Sequence, residues 1–225
     1  MNKYRDNKTG RFALSPATRN KKLVSELYRA FNHFNRFFAE GKLPHVVITI
    51  QNRGRRNAYG WFGESFWTDG VCAEGVSEIN LSAEYVSRGA DALLETLLHE
   101  MAHLFNAVNG IQDCSSGQYH NKKFKLAAEK FGLEVTKLPG KGFARTRLGK
   151  EARKAISDLK VDPELFTGLK RKTAQRATKR YASLIVSPES FDMIKSITLK
   201  TSSSQKDAVE EAIWRYFAEV DTVAE

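Results

Sequence analysis

The sequence predicts an α+β protein, a helical frame with a small antiparallel sheet, followed by a small and mostly helical C-terminal module. Three observations carry this expectation. Apolar residues recur at three- and four-residue spacing over about 16–40, 91–108 and 121–131, which marks three helices. Three short β-type runs lie between the first two of them. The composition turns strongly basic after residue 139 and changes again near 181. The expected divisions are therefore a flexible basic arm (1–15), a main domain (16–138), a basic linker or helical segment (139–180) and a terminal module (181–225).

The chain has 225 residues, of which 41% are hydrophobic, enough for a real core. It contains no apolar run near the ~18 residues of a membrane-spanning helix, so no membrane partner is expected. Two cysteines and no signal peptide point to a reducing, cytoplasmic setting, near the nucleoid in a bacterium.

The arm carries Lys3, Arg5, Lys8 and Arg11 without periodicity. Ser15-Pro16 is a helix start, and Gly41 is a stop. Leu23, Leu27, Ala30, Phe31, Phe34, Phe37 and Phe38 fall on the inner side of that helix. Val46 to Ile50 reads as a strand, Asn52 to Asn57 as an arginine-rich turn, Ala58 to Phe62 as a returning strand, and Ser77 to Ser82 as a half-buried third. Tyr59, Trp61, Phe62, Phe66 and Trp67 serve a core or a substrate groove. Helices follow from about Asp91 to Val108 and from Asn121 to Phe131, closed by Gly132, with a short strand at Leu133 to Val135.

The chemistry concentrates at His99-Glu100-Met101-Ala102-His103. Residues four apart share a helix face, so His99 and His103 can aim two imidazoles at one point. Glu100 stands one step round, in reach of a water on the same metal. This H-E-x-x-H pattern suits Zn²⁺ with a general base beside it. Leu94, Leu98, Met101 and Phe105 place it on a helix with its own apolar face, where polar groups are costly to bury unpaired. Of the five histidines, His33 reads as a helix-surface residue and His45 as a loop residue. His120 follows a polar loop and opens the next helix, so it is the expected third ligand, leaving the fourth position open. Tyr119 is a candidate stabiliser of the tetrahedral oxyanion. Cys114 reads as a plain loop cysteine.

The run from Leu97 to Leu133 resembles the SprT-like (Spartan-type) zinc metallopeptidases. They combine HExxH with a downstream His-Gly/Asn-x-x-Phe segment, here HEMAH at 99–103 and HNKKF at 120–124. Ala58-Tyr59-Gly60-Trp61-Phe62 and Glu78-Ile79-Asn80-Leu81 extend the likeness, which covers roughly residues 20–137. The resemblance implies a zincin-like fold, one Zn²⁺ per chain, and protein substrates held on DNA, such as crosslinked ones. It also implies that a strand like Ser77 to Ser82 pairs with the substrate backbone. The cysteine-rich zinc ribbon of many members cannot exist with only Cys72 and Cys114.

From Lys141 to Arg180 there are 13 lysines and arginines against 4 acids, so +9 of the formal +10 lies in this stretch. Such a field attracts phosphate backbones through counterion release. The expected nucleic-acid contacts are Lys170, Arg171, Lys172, Arg176, Lys179, Arg180, Tyr181 and Ser183. Beyond it, Tyr181 to Val186 alternates like a strand and Ser187-Pro188 opens a helix. Thr201 to Ser204 separates that helix from another, bearing Ala208, Val209, Ala212, Ile213 and Phe217 on one face. Strand, helix, turn and helix in this order resemble a ribbon-helix-helix module, which implies a DNA-binding homodimer. A helical hairpin packed on the main domain is the plainer alternative. For the whole chain, the rival to a metallopeptidase is a DNA-binding regulator with a non-proteolytic zinc domain.

Overall fold

The computed structural model describes residues 3–5, 12–51, 58–68, 70, 75–169, 171, 186–201 and 204–223. The chain divides into two compact units, Met1–Thr173 and Ala174–Glu225. No helix among the described residues is long and apolar enough to cross a membrane.

The first unit begins with a hairpin, β1 (Lys3–Arg5) paired antiparallel with β2 (Phe12–Leu14). The arm expected there thus carries structure, in strands too short to show a period. Helix α1 (Pro16–Ala39) starts where Ser15 accepts the Thr18 N–H at 3.1 Å. It buries Leu23, Leu27, Ala30, Phe31 and Phe34, whereas Phe37 points outward.

The first sheet contains β3 (Val47–Gln51), β4 (Gly60–Trp67) and β5 (Val76–Ser82) in the order β3-β5-β4. It is mixed rather than antiparallel, because β3 and β5 run parallel while β4 returns antiparallel to β5. This order corrects one expectation. The Ser77 to Ser82 segment is the central strand with both edges already paired, so it has no free edge for a peptide. Among the described residues the outer strands are β3 and β4, and β4 is the one that lines the cleft.

Helix α2 (Ala90–Val108) crosses the unit and buries Leu93, Leu94, Leu97, Leu98, Met101, Ala102 and Leu104. A second mixed sheet follows, in the order β6-β7-β9-β8. It is built from β6 (Cys114–Ser115), β7 (Tyr119–His120), β8 (Leu133–Leu138) and β9 (Gly142–Leu148). Helix α3 (Lys122–Lys130) lies between β7 and β8, capped by Asn121, whose side chain accepts from the Lys123 and Phe124 N–H groups. Helices α4 (Lys150–Leu159) and α5 (Pro163–Thr167) complete the unit.

The expected break at 138 is therefore not where the chain divides. Strand β9 pairs with β8, and Leu148, Ala152, Ala155, Ile156, Leu159 and Phe166 are buried in the same core as α1 and α2. Charge counting hid this, because Arg145 and Arg147 project outward while Leu148 is buried, a period-two strand dressed in cations.

The second unit contains α6 (Pro188–Thr201) and α7 (Gln205–Val223). Ser187 caps α6 through the Ser190 N–H at 3.2 Å, and Ser204 caps α7 through the Asp207 N–H at 3.1 Å. The strand expected at Tyr181 to Val186 lies outside the described residues, apart from Val186.

Candidate metal centre

Helix α2 puts His99 and His103 one turn apart, and β7 brings His120 to them. The His120 Nε2 atom is 3.3 Å from His99 Nε2 and 3.2 Å from His103 Nε2. All three rings rest on the fully buried ring of Phe124, with centroid distances of 4.6, 4.5 and 4.5 Å. Phe124 lies one turn past His120, so the HNKKF segment supplies both a histidine and the platform beneath all three.

The other ring nitrogens are engaged as well. His103 Nδ1 is 2.8 Å from Asp113 Oδ2, which also accepts from Asn106 Nδ2 at 3.0 Å. His120 Nδ1 is 3.1 Å from the Gln118 carbonyl oxygen. His99 Nδ1 is 3.3 Å from Thr146 Oγ1. A carbonyl and a carboxylate only accept, so His103 and His120 carry their protons on Nδ1. When both rings are neutral, their Nε2 lone pairs face each other at 3.2 Å with no proton between them.

That arrangement is repulsive unless a cation stands between the nitrogens. A tetrahedral zinc with bonds of 2.0–2.1 Å sets its ligand nitrogens about 3.3 Å apart, which the observed separations match. The donor set therefore fits a zinc-type ion. Among the described residues no fourth His, Cys, Asp or Glu joins this group, since Cys114 falls with His103 and Asp113 instead.

Electrostatics agree. Burial, then the neighbouring imidazoles, hold His99 well below the ordinary histidine value, and burial holds His120 down to about 4. Both are neutral near pH 7, the form in which an imidazole can bind a metal. Burial pushes Glu100 up to about 7. Burial also raises Glu95, a tendency that Arg88, the Leu148 N–H and the Thr146 hydroxyl oppose. Burial would raise Asp113 too, but the hydrogen bonds from His103 and Asn106 bring it below its ordinary value. Burial and the nearby Asp113 charge push the Cys114 thiol up to about 12, away from thiolate chemistry.

The histidines open into a cleft of about 650 Å³. Residues Tyr59, Gly60, Trp61 and Phe62 on and before edge strand β4 form one wall, and Leu138, Lys141, Ala144, Arg145 and Thr146 of the β8–β9 hairpin form the other. Strand β4 passes so close to α2 that a Cβ on Gly60 would stand 2.9 Å from Glu100 Oε1 and 2.8 Å from the Asn80 carbonyl. At Gly142, with φ +67°, a Cβ would stand 2.0 Å from the His120 carbonyl, whose own N–H donates to the Lys141 carbonyl at 3.0 Å.

His99, Glu100, His103 and His120 thus come together, whereas His33, bound to the Ala155 carbonyl at 2.9 Å, and the exposed His45 lie apart. Tyr119, expected to stabilise an oxyanion, does not line the cleft, and its ring edge lies beside Gly142. Of the expected nucleic-acid contacts, Arg171 pairs with Glu84 at 3.6 Å, while Lys170, Lys172, Arg176, Lys179, Arg180, Tyr181 and Ser183 lie outside the described residues. Sequence reasoning gave no role to Asp113, Gln118, Thr146, Gly60 or Gly142. Gln118 acts through its backbone, which no residue type announces, and Thr146 sits in a segment that reads as charge.

The fold and site define a mixed α+β domain with a half-buried three-histidine centre and an adjoining carboxyl group. The family model described as the SprT-like family matches residues 27–142, just over half of the chain, and the chain belongs to that family, which is associated with metallopeptidase-type enzymes. No curated protein and no solved structure matches it.

Proposed function

We propose that the chain is a zinc-dependent metallopeptidase of zincin type that hydrolyses peptide bonds. His99, His103 and His120 hold one zinc, and Glu100 is the general acid and base. The observation that carries this reading is the convergence of three Nε2 atoms with their Nδ1 atoms already committed. Zinc, when bound, supplies Lewis acidity toward the peptide carbonyl and acidifies water. Glu100 takes the proton of the attacking water and returns it to the leaving nitrogen. A carboxyl pushed to about 7 by burial is suited to both tasks near neutrality. Strand β4 stands last in its sheet's strand order and lines the cleft, so an extended peptide can add beside it as a further strand. Such recognition reads backbone more than side chains.

The test combines metal analysis with cleavage of an unfolded protein substrate. Wild type should hold one zinc and cleave, and Glu100→Gln should keep the zinc and lose at least a hundredfold in rate. Cleavage surviving in Glu100→Gln would remove Glu100 from the chemistry.

The charge pattern favours a DNA-associated protein substrate, such as a protein crosslinked to DNA. The support is the +9 excess from Lys141 to Arg180. Replacing Lys170, Arg171 and Lys172 by Gln should weaken DNA binding and flatten its salt dependence. An unchanged slope would leave a protease without a DNA arm. The alternative is a DNA-binding regulator with an inactive zinc domain, and it predicts zinc and DNA binding without cleavage. The same reading makes the second unit a homodimer contact, supported by the exposed Phe191, Met193 and Leu199.

A further inference from the structure

Tyr59 is 50% exposed, yet its position is fixed from two sides. Its carbonyl accepts the Ser82 N–H at 2.8 Å, and the Ala58 carbonyl before it accepts the Ser82 hydroxyl at 2.6 Å. The guanidinium of Arg88, at the end of the short 3₁₀ turn Val86–Arg88, lies over the Tyr59 ring, 3.8 Å from its centroid. The Tyr85 ring meets it at 4.9 Å, nearly at right angles. Arg88 is itself pinned, donating to the Tyr85 carbonyl at 3.3 Å, the Ala92 carbonyl at 3.1 Å and the Thr96 hydroxyl at 2.8 Å.

Burial does not explain an anchored ring that keeps half its surface in water. Its place does. Tyr59 lines the cleft and precedes Gly60, where a Cβ would stand 2.9 Å from Glu100 Oε1. Thr96, which receives Arg88, stands one turn before Glu100 on α2. A group that stacks on Tyr59 therefore lies beside the Glu100 carboxyl.

Charge decides what that group is. An aromatic face attracts cations, but Arg88 already occupies one side of this ring, and Lys141 and Arg145 stand in the opposite wall of the cleft. The carboxyl groups that line the cleft, Glu95, Glu100 and Asp113, belong to α2 and to the His103 pair rather than to these walls. A basic side chain set against Tyr59 meets like charge on both sides. An aromatic one buries apolar surface and gains an offset or edge contact with the ring. A ring fixed beforehand also loses no rotamer freedom on binding.

We propose that Tyr59 is a specificity-determining residue that receives an aromatic side chain of the peptide next to the scissile bond, and that Arg88 is a positioning residue that holds the ring and turns basic side chains away. This rests on reading the cleft as the seat of a bound peptide.

The experiment uses the full-length protein carrying Glu100→Gln, so that peptides are held rather than cut. Fluorescein-labelled peptides differ at one position, scanned along the chain, as Phe, Ala or Lys. Affinity is read by anisotropy, thermal melts confirm folding, and cleavage of the same set by the wild type is followed in parallel. At one position Phe should bind roughly tenfold more tightly than Ala or Lys. Adding Tyr59→Ala should bring Phe and Ala within about twofold of each other, and Tyr59→Phe should keep the preference. Arg88→Met should leave Phe above Ala but strengthen the Lys peptide several-fold, because the ring face is then open to a cation. A merely structural Arg88 would weaken all three alike. A Phe-to-Ala ratio unchanged by Tyr59→Ala, or no peptide binding at all, overturns the proposal; with cleavage by the wild type, the peptidase reading still stands. A Tyr59-dependent preference without cleavage keeps the subsite and removes the peptidase reading. A single-stranded oligonucleotide whose binding depends on Tyr59 while the peptides' does not overturns the proposal in favour of base stacking.

Discussion

The Glu100 carboxyl is buried beneath the cleft, and that has a thermodynamic sign. Its value in the folded protein is about 7, above the ordinary 4.5. Between those values the unfolded chain releases the proton and the folded chain keeps it. Glu100 therefore costs no stability below pH 4.5, and its penalty grows until the pH passes about 7. A shift of this size is worth at most about 3 kcal/mol. Metal-free Glu100→Gln should match wild type in urea melts at pH 4.5 and exceed it by up to ~3 kcal/mol at pH 8. A difference that ignores pH would assign the effect to packing instead. The two tight glycines separate chemistry from metal binding. Gly60→Ala drives a methyl at the Glu100 carboxylate, so the rate should fall more than tenfold while zinc stays. Gly142→Ala pushes on the His120 backbone at a left-handed φ, so zinc affinity itself should fall at least tenfold by chelator competition.

At the scale of elements, the site depends on α3 presenting Phe124 under three imidazoles. Removing that ring leaves a cavity beneath all three imidazoles. Phe124→Ala should cost about 3–5 kcal/mol in the zinc-free protein, measured by denaturant unfolding. A loss under ~1 kcal/mol would mean the rings find support elsewhere. The helices that carry the site were legible because each announces itself twice. Helix α1 has Ser15-Pro16 and its apolar stripe, and α2 has its leucines and two histidines at one-turn spacing. The approach of His120 to the other two histidines was legible from a loop long enough to bring it back. What escaped was relational. Whether β5 is central or an edge depends on where β4 and β3 dock, which no residue in Ser77 to Ser82 encodes. The partners of the histidines escaped for the same reason, since Asp113 and Thr146 become orienting groups only once β6 and β9 flank α2.

At the scale of the molecule, the basic stretch has two physical meanings, and a pair of truncations separates them. Up to α5 it is structural. Leu148, Ala152, Ala155, Ile156, Leu159 and Phe166 fill the core beside α1, and Thr146 touches His99. Each large apolar side chain buried is worth about 1.5–3 kcal/mol. Losing these together removes an amount comparable to the ~5–15 kcal/mol that stabilises a whole domain. A chain ending at 138 should therefore be unfolded by circular dichroism and bind no zinc tightly, although it contains every residue of HEMAH and HNKKF. A chain ending at 173 retains the first compact unit and should fold, bind one zinc and cleave an unfolded substrate at near the full-length rate. If the second unit contributes DNA contact and dimerisation, the same 173-residue chain should bind DNA more weakly than the full chain, keeping what Lys170, Arg171 and Lys172 contribute, and sediment as a monomer. A folded, zinc-binding 138-residue chain would show instead that β9, α4 and α5 are an appendage, and that the cations of this stretch are free to serve DNA alone.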